Sequence, residues 1–275
     1  MAGSPDRRSS ALTLPLVLVL VVVVTGLWAY VFMDDGQSNR SAQAASTSAA
    51  GSSSSASAAS SSASPSSSSA TSQEENASMD AAREAFAEDG SQVLVLGDGT
   101  GDGWDEWAFL WAQEQSLPGA MWMTETENGY SGSSESTRLW SGGMPETTAD
   151  YPVEHWDAIW PETDPDLVLL NYGHFYSDAD AATQSMEVLR QAIAHHASET
   201  PIVVILQNPQ ADDENASVRE AIGSWAREAG LPTIDVAAAF EQSDQAPADL
   251  RLDELQPSQA GSQLWAETVG EALAG

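Results

Sequence analysis

The chain has 275 residues, with nine Lys+Arg against 41 Asp+Glu and a formal net charge of −32 at neutral pH. All nine cations are arginine, and the balance excludes a nucleic-acid phosphate backbone as a partner, because binding it takes cationic side chains. Cysteine is absent, which removes disulfides, thiolate zinc and iron–sulfur sites and cysteine nucleophiles together.

Residues 1–11 are polar and carry Arg7 and Arg8. Leu12 to Phe32 then run for twenty-one residues without a charge, mostly Leu and Val. At about 1.5 Å per residue this crosses a hydrocarbon core of roughly 30 Å, so 12–32 is predicted to be a transmembrane helix. Trp28 and Tyr30 suit an interfacial aromatic belt. With Arg7 and Arg8 before the span and Asp34 and Asp35 after it, the positive-inside rule predicts a single-pass signal anchor, N-terminus cytoplasmic and the remainder extracytoplasmic. A cleaved signal peptide is the alternative, but it would have an apolar region of only about 7–15 residues and a small-x-small cleavage site. Trp28-Ala29-Tyr30-Val31-Phe32 offers no such site.

Residues 33–80 are mostly Ser and Ala, with almost no large apolar side chain before Met79. Such a stretch cannot bury enough surface to offset its ordering entropy and is predicted to be a disordered linker. As a flexible coil it would reach around 35 Å. The remainder, 81–275, is predicted to be the folded extracytoplasmic domain. From Glu74 onward lie all but three of the acids and all but three of the arginines. That charge implies a strongly solvated surface.

Within 81–275, Gln92–Leu96 reads as a buried strand ending in glycine. Trp104–Gln115 reads as a helix with Trp107, Leu110 and Trp111 on one face. Asp166–Asn171 is a second buried strand. Asp178 can cap a helix whose apolar positions are Ala182, Met186, Leu189 and Ile193. Ile202–Leu206 is a third strand; Val218, Ile222, Trp225 and Ala229 mark another helix ended by Gly230; Pro232–Val236 is a fourth strand. Ser258 caps a last helix through Leu264, Val269 and Leu273. Alternating strands and helices predict an α/β fold, a three-layer α/β/α sandwich with a parallel sheet. Ligands in such folds sit beyond the carboxyl ends of the strands.

After the first strand stands Gly97-Asp98-Gly99-Thr100-Gly101-Asp102-Gly103. A dinucleotide fingerprint fails there, since its sixth position is Asp102 and Asp98 adds a second anion where a pyrophosphate would lie. A calcium loop fails at its twelfth position, Phe109. No His spacing supports zinc, and neither a metal nor a cofactor is expected.

The blocks in order resemble the SGNH/GDSL hydrolase superfamily, across about Val93 to Trp265. Val93-Leu94-Val95-Leu96-Gly97-Asp98-Gly99 is similar to the strand and Gly-Asp-Ser of its first block. Asn171-Tyr172-Gly173-His174-Phe175 is similar to the third, Gly-x-Asn, and Asp253-Glu254-Leu255-Gln256-Pro257 to the last, Asp-x-x-His-Pro. Gln207-Asn208-Pro209 also resembles versions in secreted bacterial proteins. The resemblance implies a flavodoxin-like sandwich and ester hydrolysis by a Ser nucleophile, a His base and an orienting Asp, with an oxyanion hole from the first-block N–H, a second-block Gly and the third-block Asn.

Here the nucleophile position is Gly99, the base position is Gln256 and the oxyanion Asn is replaced by Phe175. An amide cannot accept a proton near neutral pH. The second block falls on Ser141-Gly142-Gly143-Met144-Pro145-Glu146, its glycine on Gly143 or on Glu146. The orienting acid Asp253 and the flanking Gly97, Asp98 and Gly173 are retained. Asp98, Thr100, His174 and Asn208 are further pocket candidates; Thr100 is one residue from the nucleophile position and its hydroxyl is expected to point elsewhere, and His174 is expected in a supporting role.

Trp104, Trp107, Trp140, Trp156, Trp160, Tyr172, Phe175 and Tyr176 fall near the expected pocket side, where flat rings beside carboxylates and amides suit sugars, while Trp107 and Trp156 also fit a core. Three functional readings follow: a catalytically degenerate domain binding cell-envelope carbohydrate or an acylated ligand, an active esterase or O-acyl hydrolase using unusual residues, and an acidic structural or assembly ectodomain.

Overall fold

The computed structural model describes residues 67–101, 103–123 and 129–275; the apolar segment 12–32 and residues 33–66 lie outside them. Among the described residues no helix is long and apolar enough to cross a membrane. In chain order the elements are α1 (Ser67–Ala87), β1 (Val93–Gly97), α2 (Trp107–Glu114), β2 (Gly119–Met123), β3 (Gly129–Ser131), β4 (Leu139–Ser141), α3 (Asp150–Glu154) and α4 (Trp156–Ile159). They continue with β5 (Leu167–Asn171), α5 (Ala179–His196), β6 (Ile202–Leu206), α6 (Ala216–Glu228), β7 (Thr233–Asp235), α7 (Val236–Gln242) and α8 (Gln259–Ala274).

The sheet has seven strands in the order β3-β2-β4-β1-β5-β6-β7. All neighbours are parallel except β2 and β3, which form an antiparallel edge. The expected parallel sheet therefore gains three strands from 119–141 and one reversed edge. Side chains alternate between the two faces, as the period of two requires. Val93, Val95, Leu167, Leu169, Val203 and Ile205 pack under α1, α2, α7 and α8. Leu94, Leu96, Val168, Leu170, Ile202 and Val204 pack under α3, α4, α5 and α6. Burial on both faces is why β1, β5 and β6 are continuous apolar runs rather than alternating ones.

The predicted punctuation of the helices is present. Asp178 Oδ1 accepts from Ala181 N at 2.8 Å and Ser258 Oγ from Gly261 N at 3.2 Å. After α6, Gly230 turns at φ +69° and Leu231 N reaches back to Ala226 O at 2.8 Å, a left-handed helix end. Trp107 and Trp265 stack at 5.3 Å with 2° between planes and tie α2 to α8.

One expectation is corrected. The linker predicted to stay disordered through residue 80 is helical from Ser67, because Met79, Ala82 and Phe86 recur every three or four residues and form one apolar face. Ala82 is fully buried, Phe86 packs on Trp111 at 5.3 Å, and Arg83 Nε donates to Ala272 O at 2.8 Å.

Strand order reverses at β1, with β4 on one side and β5 on the other. The loops that leave β1, β4 and β5 therefore meet beyond their carboxyl ends, at a topological switch point.

Candidate functional site

Asp98 leaves β1 almost fully buried, 1% exposed, and four N–H donors converge on its carboxylate. Oδ1 accepts from Thr100 N at 3.2 Å and Gln207 Nε2 at 3.0 Å; Oδ2 accepts from Gly173 N and His174 N, each at 3.1 Å. Gln207, at the end of β6, also donates to Asn171 O at 3.2 Å and accepts from His174 N at 3.0 Å. The retained Asp98 thus holds the carboxyl ends of β1, β5 and β6 together.

Thr100 and His174 meet inside this network. The Thr100 hydroxyl lies 3.0 Å from His174 Nδ1, and His174 Nε2 lies 2.9 Å from the Asn208 carbonyl oxygen. A carbonyl can only accept, so Nε2 carries the proton, and in the neutral ring Nδ1 accepts from the hydroxyl. Burial holds the His174 pKa below the usual imidazole range, against the opposing pull of the Asp98 carboxylate and the Asn208 carbonyl; Arg219 lowers it further. This is the chemistry of a hydroxyl paired with a general base, with a backbone carbonyl as orienter. It is also sealed: Thr100 is 0% exposed and His174 6%. The Thr100 hydroxyl, expected to point away from the nucleophile position, is turned inward onto His174.

The space at Gly99, which the resemblance makes the nucleophile position, is closed. Gly99 sits at φ +86°, and a Cβ built there would lie 2.4 Å from Pro145 Cα and 2.7 Å from Pro145 N. Pro145 is brought in by the segment that follows β4, where Met144 N donates to Gly97 O at 3.0 Å and Glu146 N to Asp98 O at 3.2 Å. Of the two second-block candidates, Glu146 has its N–H engaged in that bond and Gly143 is buried.

Gln256 does stand against the first-block loop, but as a brace. Its Oε1 accepts from Gly101 N at 3.2 Å and its Nε2 points at Gly99 O at 3.5 Å. Asp253 does not orient the Gln256 side chain: its Oδ1 accepts from the backbone N–H groups of Leu255 and Gln256 at 2.8 and 2.7 Å, and it is exposed. A carboxylate two and three residues ahead of those amides closes a local turn. Phe175 is half-buried beside the buried His174, and Gly173 gives its N–H to Asp98.

Three contributors had weak sequence signals. Asn171 Nδ2 donates to Thr100 O at 3.0 Å, Gln210 Nε2 donates to His174 O at 3.0 Å, and Glu106 accepts from Gly103 N at 2.6 Å. Burial raises the Glu106 carboxyl pKa, the Gly103 hydrogen bond opposes it, and Asp105 and Asp253 add to the rise. The buried Asn208 braces the last block through Nδ2 to Leu255 O at 3.1 Å. Of the aromatic set, Trp107 and Tyr172 are core, and Trp140 and Trp160 lie away from this site. Among the described residues no group of three acidic or imidazole side chains is placed to hold a metal.

No known protein-family model matches the chain, and no curated protein matches its sequence. Solved structures do. A protein assigned to the lipolytic G-D-S-L family from Desulfitobacterium hafniense has 17% identity and a TM-score of 0.51, covering 66% of this chain and 99% of its own. The lipase/acylhydrolase from Enterococcus faecalis has 16% identity and a TM-score of 0.51, covering 67% and 96%. A two-domain esterase active on acetylated mannans has 14% identity and a TM-score of 0.52, covering 73% of this chain and 52% of its own. At these identities the likeness shows the fold alone, an α/β sandwich shared with these proteins.

Proposed function

We propose that this chain is a membrane-tethered, extracytoplasmic SGNH-fold domain that has lost ester hydrolysis and acts by binding cell-envelope carbohydrate or an acylated derivative of it. The observation that carries the reading is the closure of the nucleophile position: Gly99 has no side chain, and Pro145 backbone atoms occupy the space a Cβ would need. Gln256 adds to it, since its amide is committed to Gly101 and Gly99 and accepts no proton near neutral pH. Without attacker and base, a triad of this type keeps at most the weak residual catalysis of binding and oxyanion contacts. The ligand class is supported by the likeness to an esterase active on acetylated mannans. Tethering is supported by the charge-free run from Leu12 to Phe32 and the arginines before it.

The test is p-nitrophenyl acetate hydrolysis by the full-length protein, with labelling by a fluorescent organophosphonate. Expected are turnover at the no-protein background and no covalent adduct. A second reading, an esterase in which Thr100 attacks and His174 takes its proton, has the 3.0 Å contact between them in its favour. It requires saturable turnover lost in both Thr100→Val and His174→Gln, and that result would replace the first reading.

A further inference from the structure

A cleft of about 580 Å³ is lined by Tyr130, Trp140 and Trp160 together with Gln92 and several acidic and hydroxyl side chains. Gln92 precedes β1, Thr137 precedes β4 and Thr163 precedes β5, so the cleft opens where three parallel strands begin, at the opposite end of the sheet from Asp98 and Gly99. Its volume falls in the range of small-molecule sites. We propose that this cleft binds a neutral oligosaccharide, with pyranose rings laid on the indoles and their hydroxyls donated to the acidic rim. The site shares its ligand class with the function proposed above and stands whether or not hydrolysis has been lost.

The aromatic wall is fixed before any ligand arrives. Trp140 Nε1 donates to Gln92 Oε1 and Trp160 Nε1 to Asp164 Oδ1, both at 2.9 Å, and the Tyr130 hydroxyl donates to Ile159 O at 2.8 Å. Tyr130 meets Trp140 edge-on at 4.9 Å and 77°, while Trp160 lies on Trp156 at 4.5 Å and 19°, and Trp156 on His196 at 4.6 Å. With each polar tip engaged by a protein acceptor, Tyr130 backs the wall and the half-buried indoles of Trp140 and Trp160 border the cleft, where an electron-rich ring face attracts the weakly positive C–H groups of a sugar ring. Orientation is settled in advance, so little side-chain entropy is lost on binding.

The polar rim selects the ligand. Glu135, Asp157 and Glu162 are exposed and make no hydrogen bond or ion pair with other described residues. Among the described residues no arginine lines the cleft, so an anion finds repulsion and no partner there. No three acidic or imidazole side chains among the described residues are spaced to share a metal ion, so the carboxylates do not converge on one cation. Separated acceptors over flat rings suit separated donors on an apolar ring face, which is the pattern of a chain of sugar hydroxyls. Hydroxyl-to-carboxylate bonds are charge-assisted and stronger than neutral ones.

The experiment is calorimetric titration of the full-length protein, in a detergent without sugar headgroups, with xylohexaose, mannohexaose, cellohexaose and N-acetylchitohexaose. Expected is saturable binding of at least one of them, unchanged by added salt because the ligand is neutral. Trp160→Ala should weaken it about tenfold, the loss of a buried aromatic anchor. Glu135→Gln and Asp157→Asn, exposed changes that leave folding intact, should weaken it severalfold. The proposal is overturned if none of the four binds up to about 5 mM, or if binding survives Trp160→Ala and Glu135→Gln together. It is equally overturned if binding is weakened by Phe175→Ala at the far end instead, or if only a cationic peptide binds, with salt abolishing it. Ester turnover on the same samples reports on the other end of the sheet, so the two proposals fail separately.

Discussion

Placing a serine at position 99 tests directly whether the space at Gly99 is closed. Two costs arise in Gly99→Ser. The first is the φ of +86°, which an L side chain adopts at a cost of roughly 1–2 kcal/mol. The second is contact: the new Cβ would lie 2.4 Å from Pro145 Cα and 2.7 Å from Pro145 N, and these backbone atoms cannot swing away as a side-chain end can. Forced overpacking costs typically about 1–3 kcal/mol. The sum, roughly 2–5 kcal/mol, is a large share of the 5–15 kcal/mol or so that holds a domain folded. Gly230→Ala supplies the control, since Gly230 has φ +69° and nothing within 4 Å of its Cβ position, so it pays the backbone cost alone. Urea unfolding followed by tryptophan fluorescence should show Gly99→Ser less stable than Gly230→Ala by about 1–3 kcal/mol. Pro145→Ala should not rescue it, because the obstructing atoms are backbone. Equal stabilities for the two variants, or ester hydrolysis appearing in Gly99→Ser alone, would show that the segment after β4 yields easily and that the position is not closed.

Asp98→Asn places an NH₂ among four N–H donors and should destabilise by about 2–4 kcal/mol, read as a shift in urea midpoint. Its expected signature is loss of amide protection at Gly173 and His174 in hydrogen exchange. Because burial lowers the His174 pKa, the unfolded chain takes up that proton first as pH falls; the stabilisation is complete above about pH 6.5 and fades below it. Stability should therefore drop between pH 6.5 and 5 with a slope of at most about 1.4 kcal/mol per unit, and His174→Gln should flatten that window. Glu187, held down to about 2 by its hydrogen bond to Arg190, acts lower: its contribution is present above about pH 4.5 and is lost as pH falls toward 2. Gln256→Ala should cost about 1 kcal/mol and speed exchange of the Gly101 amide, whose acceptor it removes.

What the sequence revealed follows from how local each signal is. β1, β5 and β6 are runs of five in which only the last residues of β1 and β5, Gly97 and Asn171, are not Leu, Ile or Val, and the caps Asp178 and Ser258 act within three residues. β2 to β4 carry no such signal. Gly119-Ala120-Met121-Trp122-Met123 lacks a β-branched residue, and β3 and β4 have three residues each; they are strands because neighbours pair with them, not because of their own propensity. α1 was hidden for the opposite reason, since Ser and Ala composition masked a three-residue apolar stripe that matters only once α8 and Trp111 are in place.

The site divides in the same way. The residues at positions 99, 256 and 175 can be read off the chain one by one, but what surrounds them depends on contacts across 74 to 157 positions: Thr100 with His174, Gln207 with Asp98, Gln256 with Gly99. Those contacts share one consequence. Asp98, Thr100, His174 and the Gln256 amide are each aimed at the protein's own backbone or at another buried side chain. Satisfied inward, such groups contribute rigidity and have no capacity left for a reacting carbonyl. The carboxylates of Glu135, Asp157 and Glu162, unpaired among the described residues, stand at the other end of the sheet, beside rings whose polar tips are already held. Hydrogen-bonded loops at the carboxyl end and open acceptors in the amino-end cleft make the two ends of the sheet chemically unequal, and the titrations and the Gly99 series test the two proposals that rest on that asymmetry.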